Sequence, residues 1–313
     1  MRKRRDERMS GYQNAVEIKN VTKDYGDFKL DNISFSIPEG NVCGFIGQNG
    51  AGKTTTIQLL LDAIRRDSGN IYVFGNSIDR DSVEIRENIG VVFDEMGFHD
   101  FMTAKNINTM MKNIYKQWDE KVYFDYLDRF KLPVKKQCGS FSRGMRMKLQ
   151  IATALSHNAR LLIMDEPTSG LDPIARNEII QILREYAVNE EHTVLLSSHI
   201  TTDIEKLADD VVFIDAGRII LNGNKDDILE SHGILKCKKD EVSLIDNKFI
   251  VSEQISSFGA EVLVKNRYAC KKMYPEMIIE PASLEQIMIY YINKENVQNI
   301  SDRNGGINEG TAC

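Results

Sequence analysis

The sequence predicts an α/β protein whose main sheet is parallel. Short, nearly all-apolar runs alternate with helical stretches: RLLIMD at 160–165, HTVLLSSH at 192–199 and DVVFID at 210–215. Strands of a parallel sheet are buried on both faces and have this composition. Between Ala15 and about Tyr72, segments such as AVEIKNVT and KLDNISFSI alternate apolar and polar residues, which predicts half-buried antiparallel strands. We therefore expect an antiparallel β subdomain beside the parallel core.

The other elements follow in chain order. Helical patterns in AKNINTMMKNIYKQW and EKVYFDYLDRF predict a helical insertion at about 95–158, within a main domain at 15–230. Beyond it, VSLIDNKFIVSEQI, AEVLVKN and the helix SLEQIMIYYIN predict a small α+β accessory domain at 231–295. The polar residues 296–313 predict a disordered tail.

Residues 1–14 begin with MRKRRDER, and no apolar core follows, so they are not a secretory signal. Two interpretations stay open: a disordered basic arm near a membrane surface or RNA, and translation that starts at Met9. No apolar run approaches the ~18 residues of a membrane-spanning helix. A formal net charge of −6 argues against nucleic acid as the main partner. Five scattered cysteines indicate free thiols in a reducing cytoplasm.

The stretch GFIGQNGAGKTTTIQLLL joins a short strand to a helix through a loop rich in glycine. It fits the phosphate-binding pattern G-x-x-x-x-G-K-[ST], in which backbone N–H groups and the positive end of the helix surround an anion. We expect Lys53 to reach the β- and γ-phosphates of a nucleotide and the Thr54 hydroxyl to ligate Mg²⁺. The expected nucleotide contacts in this loop are Gly47, Gln48, Asn49, Gly50, Ala51, Gly52, Lys53, Thr54 and Thr55.

The stretch LLIMDEPTSGLDP places two carboxylates at the carboxyl end of a predicted apolar strand, where ligands bind to open parallel sheets. Asp165 can orient Mg²⁺, directly or through water. Glu166 can polarise the water that attacks the γ-phosphate. An Asp-Glu pair after a strand also has a structural interpretation, because acidic residues are common at the N-terminus of a helix. A phosphate-binding loop about a hundred residues upstream favours the catalytic interpretation.

With these motifs the chain resembles the ATP-binding cassette (ABC) family, from about Val16 to Leu229. DEPTSGLDP is similar to the family's acidic strand end and its D-loop, here Ser169 to Asp172. FSRGMRMKLQIATAL is similar to the signature motif of the family. LLSSHI is similar to the segment that contains the switch histidine, and KDYGDF is similar to the segment that stacks on adenine. The resemblance implies a P-loop NTPase (RecA-like) core. It also implies that His199 is the switch histidine, that Tyr25 stacks on adenine, and that ATP and Mg²⁺ are the cofactors.

The signature motif implies a second subunit. Ser142 and the backbone of Gly144 begin a helix, which again suits an anion. In the family two ATP-binding subunits pair head to tail, and each signature covers the ATP on the other subunit's loop. The resemblance therefore implies a homodimer or a dimer with a related paralogue, with Ser142 and Gly144 as nucleotide contacts.

Two departures distinguish the chain from the usual family pattern. The signature LSGGQ is replaced by FSRGM, so that Arg143 and Met145 stand for a glycine and the glutamine. This variant resembles the bacitracin-resistance branch of antibiotic and peptide exporters. Asp94, followed by Glu95, stands where the Q-loop glutamine should follow IGVVF. We expect the Asp94 carboxylate to bind the magnesium or its water.

The function that the resemblance implies is ATP hydrolysis coupled to export of peptides, antibiotics or other amphipathic compounds. The chain would work at the cytoplasmic face of the cell membrane on separate transmembrane permease subunits. Four apolar residues in EMGFHDFMTAKN are either a docking surface for such a partner or a small core of the insertion: Met96, Phe98, Phe101 and Met102. The alternative is a soluble ABC-type ATPase, but no coiled-coil run and no second cassette is present. If the protein were a P-loop kinase or GTPase, the segments FSRGM and SSH would have no explanation.

Overall fold

A computed structural model of the chain describes residues 14–79 and 83–305, with side chains to residue 294. The chain divides into two compact units, and the division falls between Asn222 and Gly223. This is eight residues before the boundary that the sequence predicted. Residues 1–13 of the predicted N-terminal extension (1–14) and the last eight residues of the predicted tail lie outside the described residues.

The first unit contains two sheets. Its strands are β1 (Asn14–Asp24), β2 (Lys29–Pro38), β3 (Val42–Ile46), β4 (Ser68–Val73), β5 (Asn76–Ser77), β6 (Ile89–Val92), β7 (Leu161–Asp165), β8 (Thr193–Ser198), β9 (Asp210–Asp215) and β10 (Arg218–Asn224). β1 pairs antiparallel with β2 and β4, in the order β2-β1-β4-β5. The second sheet has the order β10-β9-β3-β8-β7-β6, and the strands from β9 to β6 are parallel. The α/β fold with an antiparallel subdomain is confirmed.

The helices of this unit are α1 (Lys53–Leu60), α2 (Val83–Glu87), α3 (Ala104–Ile114), α4 (Glu120–Arg129), α5 (Arg143–Leu155), α6 (Pro173–Ala187) and α7 (Thr201–Leu207), with a 3₁₀ turn at Cys138–Ser140. One apolar cluster joins the two sheets, and the rings of Phe35 and Phe45 lie 5.5 Å apart across it. β3 and β7 are buried along their whole length. Their burial fixes where the two strands end, and therefore where the loops after them begin.

The helical insertion contains α3, α4 and the start of α5. The Thr103 side chain and Asn106 form a reciprocal cap at the start of α3. The buried Tyr123 donates a hydrogen bond from its hydroxyl to the Ala104 carbonyl at 3.1 Å, joining α4 to α3. Of the four apolar residues predicted either to dock a partner or to pack inside, Phe101 is 68% exposed and the other three are half-buried. Phe101 therefore fits the interpretation as a docking surface, and the three half-buried residues fit the interpretation as a small core of the insertion.

The second unit is an antiparallel sheet with helices. Its elements are α8 (Lys225–Ser231), β11 (His232–Cys237), a 3₁₀ helix (Lys239–Leu244), β12 (Ile250–Ile255), β13 (Ala260–Lys265), α9 (Arg267–Met273), β14 (Ile278–Pro281) and α10 (Leu284–Gly305). The sheet order is β12-β13-β11-β14, and Leu235, Val262 and Phe249 belong to its own core. α10 continues to Gly305 and so includes the first ten residues of the predicted tail. None of the helices in the described ranges has the length and apolar composition needed to cross a membrane.

His157 is a buried ionisable group of the first unit. Its Nε2 is 3.1 Å from the Ile89 carbonyl oxygen, its ring stacks on Tyr115 at 4.0 Å, and its Nδ1 has no hydrogen-bond partner. Burial lowers the pKa of His157 below its ordinary value. The folded chain therefore keeps this imidazole neutral at a pH where the unfolded chain protonates it.

We expect the free energy of unfolding to fall as the pH drops below about 6.5, the ordinary histidine pKa. His157→Gln should remove part of this dependence, because the amide keeps a donor for Ile89 and does not titrate. Between pH 7.5 and 5.5, the free energy of unfolding should fall further in the parent than in the variant, by up to about 1.4 kcal/mol. The only tryptophan, Trp118, lies in this unit, so its fluorescence in urea reports the transition. Equal pH dependence in both proteins would contradict this role of His157.

Candidate nucleotide-binding site

The glycine-rich loop connects the end of β3 to the first residue of α1. Gly50 and Gly52 have φ values of +81° and +114°, in the left-handed region that glycine adopts without strain. A Cβ atom on Gly47 would lie 2.5 Å from the Ile214 carbonyl oxygen of β9. Only glycine therefore allows the loop to lie this close to the neighbouring strand.

Lys53 folds back into this loop. Its Nζ donates hydrogen bonds to the carbonyl oxygens of Gly47 at 2.7 Å and Gln48 at 3.1 Å, and the residue is 6% exposed. The ammonium group also lies 3.3 Å from Oε1 of Glu166. A buried cation inside a glycine loop at a helix N-terminus is suited to the phosphates of a nucleotide.

Thr54 and Asp165, which the sequence predicted to be metal ligands, are in direct contact. The Thr54 hydroxyl donates to Oδ2 of Asp165 at 2.8 Å, and the buried Ser197 hydroxyl donates to Oδ1 at 2.8 Å. A hydroxyl beside a carboxylate is an oxygen donor set that Mg²⁺ prefers. Sequence reasoning missed Ser197, although it faces Asp165 in the parallel register of β7 and β8.

Glu166 lies between Lys53 and His199. Its Oε2 is 2.7 Å from Nδ1 of His199, and its buried Oε1 accepts no hydrogen bond although Lys53 Nζ is 3.3 Å away. The residue has a φ of +52°, an uncommon conformation for a side chain larger than glycine. One carboxylate oxygen is thus held by His199, and the other faces the Lys53 ammonium group without a hydrogen bond.

Tyr25 lies in a turn next to the loop. Its amide donates to the Phe28 carbonyl at 2.9 Å, and Phe28 approaches Gly52 so closely that a Cβ there would be 3.1 Å from the ring. The Tyr25 ring is 50% exposed, and Nζ of Lys23 lies 5.4 Å from its centre. An exposed ring beside a phosphate-binding loop is available to stack on a base.

The signature residues lie at the start of α5. The Ser142 hydroxyl accepts a hydrogen bond from the Met145 amide at 3.3 Å and so caps the helix. Within the described residues, no hydrogen bond or ion pair joins Ser142 or Gly144 to the phosphate-binding loop of the same chain.

In the D-loop, the amides of Ala175 and Ile174 donate to Asp172 and hold the pKa of its carboxyl below the usual value.

The two departures from the usual family pattern contact each other. Arg143 of the signature forms an ion pair, through Nη2, with Oδ1 of Asp94 at the Q-loop position. Among the described residues, no hydrogen bond or ion pair brings Asp94 to Thr54 or Asp165. The third metal ligand that the sequence predicted is therefore engaged elsewhere, because the Arg143 guanidinium holds its carboxylate. Sequence reasoning noticed both residues but not their contact.

Fold and site together define a P-loop nucleotide-binding protein. The loop, Lys53, the Thr54–Asp165 pair and the Glu166–His199 pair stand at one edge of a parallel sheet. Comparison with known proteins agrees. The ABC transporter family model matches residues 30–169.

The names of two similar relatives state a role. The bacitracin transport ATP-binding protein BcrA of Bacillus licheniformis is 38% identical over 211 residues, which cover 66% of this chain and 68% of BcrA. The linearmycin resistance ATP-binding protein LnrL of Bacillus subtilis is 34% identical over 245 residues, 76% of this chain and 78% of LnrL. The solved structure of cbiO1 from Clostridium perfringens, part of the ABC transporter complex cbiONQ, has a TM-score of 0.60 at 26% identity and covers 69% of this chain and 91% of cbiO1. The chain belongs to the ABC transporter family, as an ATP-binding subunit.

Lys53→Ala should abolish ATP binding, because the variant loses the cation that neutralises the β- and γ-phosphates. Isothermal calorimetry with ATP measures the effect. Lys29→Ala is the control, since it removes an exposed lysine whose partner is Asp31. Micromolar ATP affinity retained by Lys53→Ala would refute the assignment of the loop.

Tyr25→Ala should weaken ATP binding by about 1–3 kcal/mol, the size of base–aromatic stacking in single-stranded nucleic acids. The phosphate contacts are unchanged, so inorganic triphosphate should bind the variant and the parent equally. Competition calorimetry with both ligands separates the two contributions. Unchanged ATP affinity would mean that a different group holds the base.

Proposed function

We propose that this protein hydrolyses ATP to drive export of a peptide, an antibiotic or another amphipathic compound, working on separate transmembrane permease subunits. The observation that carries the proposal is the position of Glu166. One of its oxygens is held by His199, and the other is buried beside Lys53 without a hydrogen bond. A carboxylate held in this way is suited to accept a proton from water.

Each residue of the site has a separate task. Lys53 neutralises the phosphates, and Glu166 accepts the proton of the attacking water. His199 fixes Glu166 in one orientation through the 2.7 Å contact. Thr54 and Asp165 would hold Mg²⁺, which supplies positive charge to the phosphate oxygens when it is bound. Ser197 orients Asp165 for this purpose.

Two subunits are required in this proposal. Ser142 and Gly144 stand at a helix N-terminus that suits an anion, yet they are not joined to their own phosphate-binding loop. A head-to-tail dimer, with an identical chain or a paralogue, would bring them to the nucleotide of the other subunit. ATP would then hold the dimer together, and hydrolysis would remove the γ-phosphate that both subunits contact.

The export role and the location at the cytoplasmic face of the membrane rest on relatives and on one exposed residue. BcrA and LnrL are named for bacitracin transport and linearmycin resistance. Phe101, 68% exposed in the helical insertion, provides an apolar contact for a helix of a membrane partner. We propose this segment as the docking site for the permease.

Glu166→Gln should lower the rate of ATP hydrolysis by about 10²–10⁴, the usual contribution of a positioned general base. ATP binding should survive, because the amide keeps one acceptor and removes a negative charge near the γ-phosphate. With ATP and Mg²⁺ the variant should accumulate as a dimer, which light scattering with and without ATP detects.

The second variant tests the dimer geometry. Adding Ser142→Arg to Glu166→Gln should restore the monomer, because the larger side chain blocks the opposite γ-phosphate. A Glu166→Gln protein that stays monomeric at saturating ATP, both alone and in the membrane complex, would contradict the sandwich.

A further inference from the structure

We propose that Asp94 is a positioning residue for Arg143 and not a metal ligand. Asp94, Arg143 and Gly170 would act as one unit that fixes the signature helix against the loop carrying Glu166. This inference deepens the proposed ATPase function and rests on it. It assigns a role to two of the residues, Asp94 and Arg143, by which the chain departs from the usual family pattern.

The first step is the ion pair itself. Arg143 is the first residue of α5, and its Nη2 contacts Oδ1 of Asp94. The two side chains are 49% and 45% exposed, so the pair is partly solvated and adds little to overall stability. We therefore expect the ion pair to affect the position of the start of α5 more than the free energy of unfolding.

The second step is the fixed position of Asp94. The preceding residue, Phe93, exchanges two main-chain hydrogen bonds with the buried Gln150 side chain of α5, at 3.0 and 3.3 Å. Gln150 lies about two helical turns after Arg143. The segment after β6 is thus attached to α5 at two points, through Phe93 and Gln150 and through Asp94 and Arg143.

The third step connects this pair to Glu166. The Arg143 guanidinium lies on the backbone of Gly170, where a Cβ would be 3.1 Å from Cζ and Nη1. Gly170 has a φ of +66° and belongs to the loop after β7. In that loop the Ser169 amide donates to the Glu166 carbonyl at 3.2 Å. Arg143 therefore touches a turn that begins at the general base, and displacement of Arg143 would loosen that turn.

The main experiment compares Asp94→Asn with Asp165→Asn in steady-state kinetics against Mg²⁺ and ATP. Asp165→Asn should raise the Mg²⁺ concentration for half-maximal rate by about tenfold or more. Asp94→Asn should leave that concentration and the KM for ATP unchanged and lower kcat about two- to five-fold, the range for an exposed ion pair. A tenfold higher Mg²⁺ requirement in Asp94→Asn would overturn the inference, because it would identify a metal ligand.

Charge reversal provides the second test. Arg143→Glu and Asp94→Arg should each lower kcat, and the double variant should recover most of the loss. Hydrogen exchange of the amides at 144–146, measured without ATP, should quicken about two- to five-fold in the single variants and recover in the double variant. Exchange rates that are equal in all four proteins would refute the positioning role.

The two proposals fail in different ways. If the parent binds ATP but does not hydrolyse it, the proposed function fails, whereas hydrogen exchange still tests the Arg143–Asp94 pair. If the parent hydrolyses ATP and the double variant recovers neither kcat nor exchange protection, only the positioning role fails.

Discussion

Parallel pairing of β3, β8 and β7 is the constraint on which the site depends. The register sets Ile46 opposite Ser198 and Asp165 opposite Ser197, so three strands end at the same edge. Just beyond two of these ends, Glu166 and His199 contact each other although they are far apart in sequence. Lys53 joins Glu166 to the loop that begins at Gly47 beyond the third end. The helices α1 and α7 begin from the same edge, and their positive ends face it.

The same geometry concentrates charge in a place with little water. Lys53 is 6% exposed, Asp165 5%, and the Glu166 side chain 14%. Buried charges are costly unless they are paired and hydrogen-bonded. Lys53 meets this requirement with two loop carbonyls and Glu166, and Asp165 meets it with two hydroxyls. A nucleotide phosphate would compete with Glu166 for Lys53, so binding of the nucleotide would be linked to release of the Glu166 carboxylate from the ion pair.

Most of the fold and the centre of the site could be predicted because they depend on local patterns. A glycine loop before an apolar helix fixes Lys53 and Thr54, and an apolar strand before Asp165 and Glu166 fixes their edge. The Arg143–Asp94 contact could not be predicted, since the two residues are 49 positions apart and their meeting depends on side-chain direction. The strand β11 was missed because HGILKC has only three apolar side chains, which are too few to show a clear period. The division between the units was placed too late because it falls within a strand.

The left-handed turn at Gly170 has a consequence for exchanging motifs between cassettes. The space over its backbone is filled by the guanidinium of Arg143, whose charge is matched by Asp94. A chimera that imported an LSGGQ segment alone would leave an empty volume at the turn and an unmatched carboxylate at position 94. Positions 94 and 143 would therefore have to be exchanged together, even though they belong to two separate motifs.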